Sequence, residues 1–205
     1  MEETTNTSNK KVIAAFDFDG TITKYDSLLF FIWYSVNVFK LGFGTLKLLP
    51  TLVLYKLKII QNYKAKEKLF GMFYQNLALT AFDDLGVRFV SQLDKMIKPE
   101  ALKKLAWHRQ MDHKIVIISA SVENWIKPWA KANGINTVLA TQIEVKNQKL
   151  TGKFLSKNCY GAEKVNRLLS QFPERDDYEL YFYGDSNGDK ELLAIADYPF
   201  YQKFE

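Results

Sequence analysis

Short runs of consecutive apolar residues alternate along this chain with longer segments in which apolar residues recur every three or four positions. The first run, residues 12–16 (Val-Ile-Ala-Ala-Phe), is followed at once by Asp and then Gly. That is the pattern of a strand buried on both faces and ending at a loop. Similar runs at 115–118, 138–145 and 180–183 predict three more strands. Helical periodicity marks residues 99–111, which open on a first-turn Pro99, and 122–133, which stop at Gly134. Residues 162–169 and 189–196 complete the set. Asn147-Gln148 reads as the turn of a small hairpin beside the sheet. Strands alternating with helices imply an α/β fold with a Rossmann-like parallel sheet and right-handed crossovers.

One interval breaks the alternation. Residues 24–96 show helix patterns and no clear strand. A crossover needs only a dozen or so residues, so roughly seventy predict an inserted helical domain. The expected division is a catalytic core of residues 1–24 plus 97–205 and a helical cap of residues 25–96. Thr80-x-x-Asp83 has the spacing of a capping box opening a helix through Leu93. No repeat and no low-complexity segment interrupts the chain.

Composition changes the picture in three ways. At 205 residues, 47% hydrophobic and 25% charged, the chain is an ordinary globular one. Its polar start reads as a frayed tail without the apolar segment of a secretory signal. The single cysteine, Cys159, allows no intrachain disulfide and fits a reducing cytoplasm. Two histidines and one cysteine are too few for a His/Cys zinc site. Any metal therefore belongs on carboxylates.

The net charge of +5 is uneven: residues 27–66 hold six lysines and no Asp or Glu, leaving about −1 for everything else. Within that stretch residues 28–60 are apolar at 22 of 33 positions and rich in aromatics, including Phe30, Phe31, Trp33, Tyr34, Phe39, Phe43 and Tyr55. Two accounts stand. Helices apolar all round are usually buried, so these residues can form the cap's own core and its contact with the catalytic domain. Alternatively the cap is an amphipathic, lysine-edged surface that touches an anionic membrane or admits a lipid phosphate. A transmembrane span is not expected, because the longest charge-free run of this stretch is thirteen residues, 27–39, against the roughly 20 that a bilayer needs. Nucleic acid is not an expected partner, since the lysines alternate with aliphatic rather than exposed stacking side chains.

The chemistry concentrates at strand ends. Asp17-Phe18-Asp19-Gly20-Thr21 follows the first strand, and ligands of an open parallel sheet bind outside the carboxyl ends of its strands. Residues two apart in an extended segment point the same way, so Asp17 and Asp19 can share a pocket. Tyr183-Gly184-Asp185-Ser186-Asn187-Gly188-Asp189 follows the fourth strand and brings Asp185 and Asp189 to the same edge. Four carboxylates there suit a hard cation such as Mg²⁺, although Asp189 can equally cap the next helix. Ser119 closes the second strand at an expected helix start, where hydroxyl and N–H groups cradle phosphate. Lys164 sits near the start of another helix.

This ordered set resembles the haloacid dehalogenase-like hydrolases over essentially the whole chain. The long insert after the first motif looks like the C1-type cap of their phosphoserine-phosphatase-like branch. The resemblance implies that Asp17 attacks phosphorus to form an aspartyl-phosphate, while Asp19 acts as general acid and then base. It implies that Mg²⁺ is held by Asp17, the Asp19 carbonyl and Asp185, supported by Asp189 and Asn187. Thr21, Ser119, Ala120 and Lys164 would bind the phosphoryl group. The chain departs from phosphoserine phosphatases in having Ser119-Ala120-Ser121 where they have Ser-Gly-Gly. Gly188 stands where they have Asn, and Asp26 where they have a substrate-recognising Glu.

The apolar cap and Asp185-Ser186-Asn187 also look similar to phosphatidylglycerophosphate phosphatases of the C type. The expected substrate is then a phosphomonoester with an apolar portion, hydrolysed in the cytoplasm or peripherally at the inner membrane surface. The alternatives are a small metabolite such as phosphoserine, or transfer of the phosphoryl group to an acceptor other than water.

Overall fold

The computed structural model describes residues 10–57 and 59–204; the polar start, residues 1–9, lies outside them. In chain order the strands are β1 (Lys11–Phe16), β2 (Lys114–Val122), β3 (Thr137–Thr141), β4 (Ile143–Lys146), β5 (Lys149–Phe154), β6 (Tyr178–Gly184) and β7 (Tyr198–Tyr201). The helices are α1 (Ser27–Ser35), α2 (Val38–Lys56), α3 (Asn62–Tyr74), α4 (Leu79–Leu93), α5 (Pro99–Gln110), α6 (Glu123–Ala132), α7 (Ala162–Gln171) and α8 (Lys190–Ile195). Five parallel strands form the central sheet in the order β3-β2-β1-β6-β7.

The apolar run of β1 is continuous because both its faces are covered. Ala14 and Phe16 belong to one core layer, Ile13 and Ala15 to the other. Strand order reverses at β1, which lies between β2 and β6. The crevice beyond the carboxyl ends of β1 and β6 is therefore the natural ligand position.

Three sequence expectations need correction. The run at 138–145 is two strands: β3 ends at Thr141, and β4 leaves the sheet to pair antiparallel with β5. Asn147 and Gln148 both have positive φ, 51° and 59°, which matches the twist of a tight hairpin. β2 does not end at Ser119 but continues through a bulge to Val122, so α6 starts only at Glu123. The capping box at Thr80 and Asp83 does not form. Helix α4 starts at Leu79 behind Ala78, and Asp83 instead accepts a 2.6 Å hydrogen bond from Asn124 Nδ2 of α6. The fifth strand, β7, was not expected from its four residues. It contains Pro199, which a sheet edge tolerates.

Among the described residues four α-helices, α1 to α4, fill the interval between Lys24 and Met96, and α5 then leads into β2. The two ends of the interval are tied together. Lys24 N–H donates to the Met96 carbonyl at 2.8 Å and Lys98 N–H to the Ile22 carbonyl at 2.9 Å. The hairpin holds the far side, with Leu150 N–H donating to Leu77 and Leu79 N–H to Gln148, both at 2.9 Å.

The inner side is aromatic. Phe31 stacks on Trp125 of α6 with ring centres 4.6 Å apart and meets Phe82 and Phe89 edge-on. Gly86 lets α4 approach α6, since a Cβ there would meet the Asn124 carbonyl oxygen at 2.3 Å. The account in which the apolar stretch is buried therefore holds for Phe31. It fails for Trp33, Phe39, Phe43 and Tyr55, which are exposed. Among the described residues no helix is long and apolar enough to cross a membrane.

Candidate active site

Asp17 is the first residue beyond β1 and still belongs to the ladder, its N–H donating to the Tyr183 carbonyl at 2.9 Å. Its position is thus fixed by the sheet rather than by a loop. The chain then makes a wide turn over Phe18–Ile22, broken by extended Asp19 and by Gly20 at φ 78°. This glycine is required twice: an L side chain avoids that φ, and a Cβ would meet Asp185 Oδ2 at 2.2 Å. Gly20→Ala should therefore displace Asp185 or the turn. Any activity that depends on a divalent cation should fall roughly 10- to 100-fold, as when a metal site loses its supporting contacts. A wild-type Mg²⁺ titration of the variant's activity would refute this.

Lys164 projects from the first turn of α7 into the same place. Its Nζ lies 2.6 Å from Asp17 Oδ1 and 2.5 Å from Asp189 Oδ1, and all three residues are buried. Carboxylate oxygens of Asp17, Asp185 and Asp189 lie within 4.8 Å of one another. The second oxygen of Asp189 accepts from Asp185 N–H, Ser186 N–H and Ser186 Oγ at 3.2, 2.9 and 2.8 Å. Asp189 thus fixes the loop after β6 through a capping box with Ser186, rather than capping α8 with its side chain. Thr21 Oγ1 donates to Asp185 Oδ1 at 3.3 Å.

Asp19 faces elsewhere. One of its oxygens accepts the Ser27 N–H at 2.7 Å, at the start of α1, and the other accepts from Ser121 Oγ on the β2 bulge. Ser119 is buried, and its Oγ accepts from Ser121 N–H at 3.0 Å inside the strand extension, not at a helix start. The Ala120 carbonyl accepts from Thr141 Oγ1 at 2.9 Å. Asn187 is exposed, and its side chain takes no part in the hydrogen bonds of this cluster among the described residues.

Four contributors were missed. Ser121 and the Ser27 N–H hold Asp19, and Lys66 of α3 reaches Asp26 at 3.4 Å beside it. Asp26 meanwhile caps α1 by accepting from Leu29 N–H at 3.1 Å. Lys66 was visible only as one lysine in a basic stretch, because its direction depends on how α3 packs. Lys98 Nζ donates to the Gly20 carbonyl and so braces the turn.

The electrostatics divide the two aspartates. Burial pushes the Asp17 carboxyl up to about 8, and Asp189 adds to the shift while Lys164 opposes it. Burial and then Asp26 raise Asp19, against the pull of Lys66. Burial and then Asp189 raise Asp185. Burial acts to lower Lys164, but Asp17 and Asp189 more than offset it and keep the ammonium charged. The short Lys164 contacts place one cation among three carboxyl groups that compete for charge, of which Asp17 keeps its proton up to about 8. Such an all-oxygen, electron-rich set fits a hard divalent ion.

A pH dependence follows. The folded Asp17 holds its proton up to about 8, whereas an unfolded Asp releases it near 3.8. Without a divalent cation, stability from this group is complete below about 3.8 and declines until the pH passes about 8. Buried His108, lowered from 6.5 to about 3 by burial and then by His113, acts oppositely, but only up to the ordinary histidine value. Thermal melts in chelator should therefore show Tm falling from pH 7 to pH 8. Added Mg²⁺ should raise Tm more at pH 8 than at pH 6.5, where a proton must first leave. An equal rise at both values would contradict this picture.

With this geometry in view, comparison with known proteins is decisive at the family level. The haloacid dehalogenase-like hydrolase family matches residues 14–194, and the chain belongs to it. It is 29% identical to the protein CicA of Caulobacter vibrioides over 198 residues, 96% of this chain and 88% of that protein. A protein of unknown function from Bordetella pertussis Tohama I has a similar structure, with a TM-score of 0.78 at 19% identity, covering 90% of this chain and 86% of that one. A phosphoserine phosphatase solved as a phospho-aspartyl intermediate analogue matches with a TM-score of 0.59 at 14% identity, covering 91% and 84%. The chain is thus an enzyme of the hydrolase class with a phosphoserine-phosphatase-like fold.

Proposed function

We propose that this chain is a Mg²⁺-dependent phosphomonoester hydrolase with Asp17 as nucleophile and Asp19 as general acid and base. The observation that carries the reading is the separation of the two aspartates: Asp17 lies in the carboxylate cluster with Lys164, and Asp19 faces Ser27 and Ser121. An Asp17 oxygen attacks phosphorus as the bond to the ester oxygen breaks, and Asp19 gives that oxygen its proton. A raised carboxyl suits this donation. Asp19 then takes a proton from water, whose oxygen attacks phosphorus and releases phosphate and free Asp17. Lys164 and the Ser119–Ala120 segment bind the phosphoryl oxygens, with Thr21 orienting Asp185. Asp17, Asp185 and the Asp19 carbonyl would hold the Mg²⁺, with Asp189 in support, and the ion would stabilise charge on the transferring group.

Residues 25–96 act as the cap that closes over this site. The substrate carries an apolar portion, as a lipid phosphate such as phosphatidylglycerophosphate does, and is met in the cytoplasm at the inner membrane surface. The exposed aromatic and lysine-rich side chains of the cap support this. A polar metabolite such as phosphoserine is the second reading, favoured by the Asp26–Lys66 pair beside Asp19, which suits a zwitterionic leaving group. Phosphate release with Mg²⁺ should be measured on lysophosphatidate and phosphatidylglycerophosphate in mixed micelles, on phosphoserine and on an aryl phosphate. Preference for the lipids is expected. Efficient phosphoserine turnover with no lipid activity would overturn the lipid reading, and silence on every substrate would overturn the phosphatase.

A further inference from the structure

The side of α2 turned away from the molecule is apolar. Helix residues advance by about 100°, and on that basis Val38, Leu49, Gly42, Val53, Leu46, Phe39, Pro50 and Phe43 fall side by side across roughly 140° of arc. All eight are exposed; Phe39 is 86% and Leu46 64% accessible. The opposite face, with Leu41, Gly44 and Leu48, is the one that packs, and Gly44 sits against the Phe73 ring of α3. Helix α2 is therefore amphipathic in an unusual sense: one apolar seam is covered and a second, wider one is not. Trp33 of α1 and Leu57 and Ile59 beyond α2 add further exposed apolar surface. Contiguous apolar area of this kind marks an interaction surface.

The charges choose the occupant. Lys47 and Lys40 flank one edge of the arc and Lys56 the other. The Lys47 ammonium lies 4.5 Å from the centre of the Phe43 ring. Beside that edge Lys40, Lys47, Lys68 and Lys153 line a concavity of about 680 Å³, which Glu67 also borders. Residues 27–66 contain no acid. A second copy packed face to face would oppose these lysines to their own equivalents, whereas an anionic lipid surface neutralises them. At 19 residues with three lysines, α2 does not cross a bilayer and would lie along it.

We infer that α2 is a membrane-docking helix whose Phe39–Phe43 face enters the interface of an anionic bilayer, with Lys47 and Lys56 at headgroup level. This deepens the lipid-phosphate reading by naming the surface that brings the site to its substrate. The test is sedimentation of the full chain with vesicles of phosphatidylcholine alone or mixed with phosphatidylglycerol, at low and high salt. Aryl phosphatase activity is followed in parallel.

Binding to the anionic vesicles, weakened by salt, is expected. Phe39→Glu/Phe43→Glu should lower partitioning by roughly 100-fold while leaving aryl phosphatase activity and the melting curve intact. Undiminished binding by the double variant would overturn the inference. So would absence of binding by the wild type together with a dimer that the variant dissolves. Absence of activity from wild type and variant alike, with wild-type binding present and the variant's lost, would instead refute the phosphatase reading and leave docking standing.

Discussion

Replacing Asp17 by Asn should abolish release of inorganic phosphate from any generic aryl phosphate. The amide has nearly the same volume as the carboxylate, and the residue keeps its N–H bond to Tyr183, so the sheet edge is undisturbed. What disappears is the carboxylate proposed as nucleophile, held against Lys164 just beyond β1. Removal of a covalent nucleophile from other hydrolases costs about 10⁶-fold, and a loss of at least roughly 10⁴-fold is expected here. Steady-state kinetics with Mg²⁺ supply the measurement. An Asp17→Asn enzyme retaining even a few per cent of wild-type Mg²⁺-dependent turnover would show that the nucleophile lies elsewhere. The same variant should lose the decline of Tm between pH 7 and 8, which separates the titration of Asp17 from its chemistry.

The second large effect concerns Lys164, and it falls on folding as well as on activity. Its ammonium is buried between Asp17 and Asp189, themselves buried. Lys164→Met fills most of the space but leaves carboxylates facing one another without their cation. Breaking a buried ion pair from one side costs about 3–5 kcal/mol. For a chain of this size each kcal/mol lowers Tm by about 2–4 °C, so a fall on the order of 6–20 °C is expected in chelator. Part of it should return with Mg²⁺, because the ion replaces the missing positive charge.

A double-mutant cycle sharpens the test. Asp189→Asn added to Lys164→Met should destabilise by less than the two single changes summed, since it removes one of the opposed charges. Additive losses would mean that Lys164 and Asp189 are not energetically coupled.

Much of this was readable in the chain. The run at 12–16 announced a buried strand, and the aspartates at 17, 19, 185 and 189 followed strands closely enough to share one sheet edge. The hairpin at Asn147-Gln148 was also readable, because Asn accepts the positive φ that a tight two-residue turn demands. Short-range constraint accounts for these successes: strand, turn and cap are each decided within a few residues. Where local patterns competed, reading failed. Thr80 and Asp83 had capping spacing, but Asn124 of α6 draws Asp83 away. The 138–145 run looked uniform, yet its two halves pair with different partners.

Sequence alone determined the family, the order of the strand-end motifs and the lysine-rich, acid-free character of residues 27–66. Only the tertiary structure decided that Asp17 and Asp19 part company, one to Lys164 and the other to Ser27 and Ser121. It also turned Lys66 inward and left Phe39 and Phe43 facing outward. The physical reason is the same in each case. Residue type sets what a side chain can do, but burial, charge neighbours and the covered face of a helix arise from contacts between segments tens of residues apart.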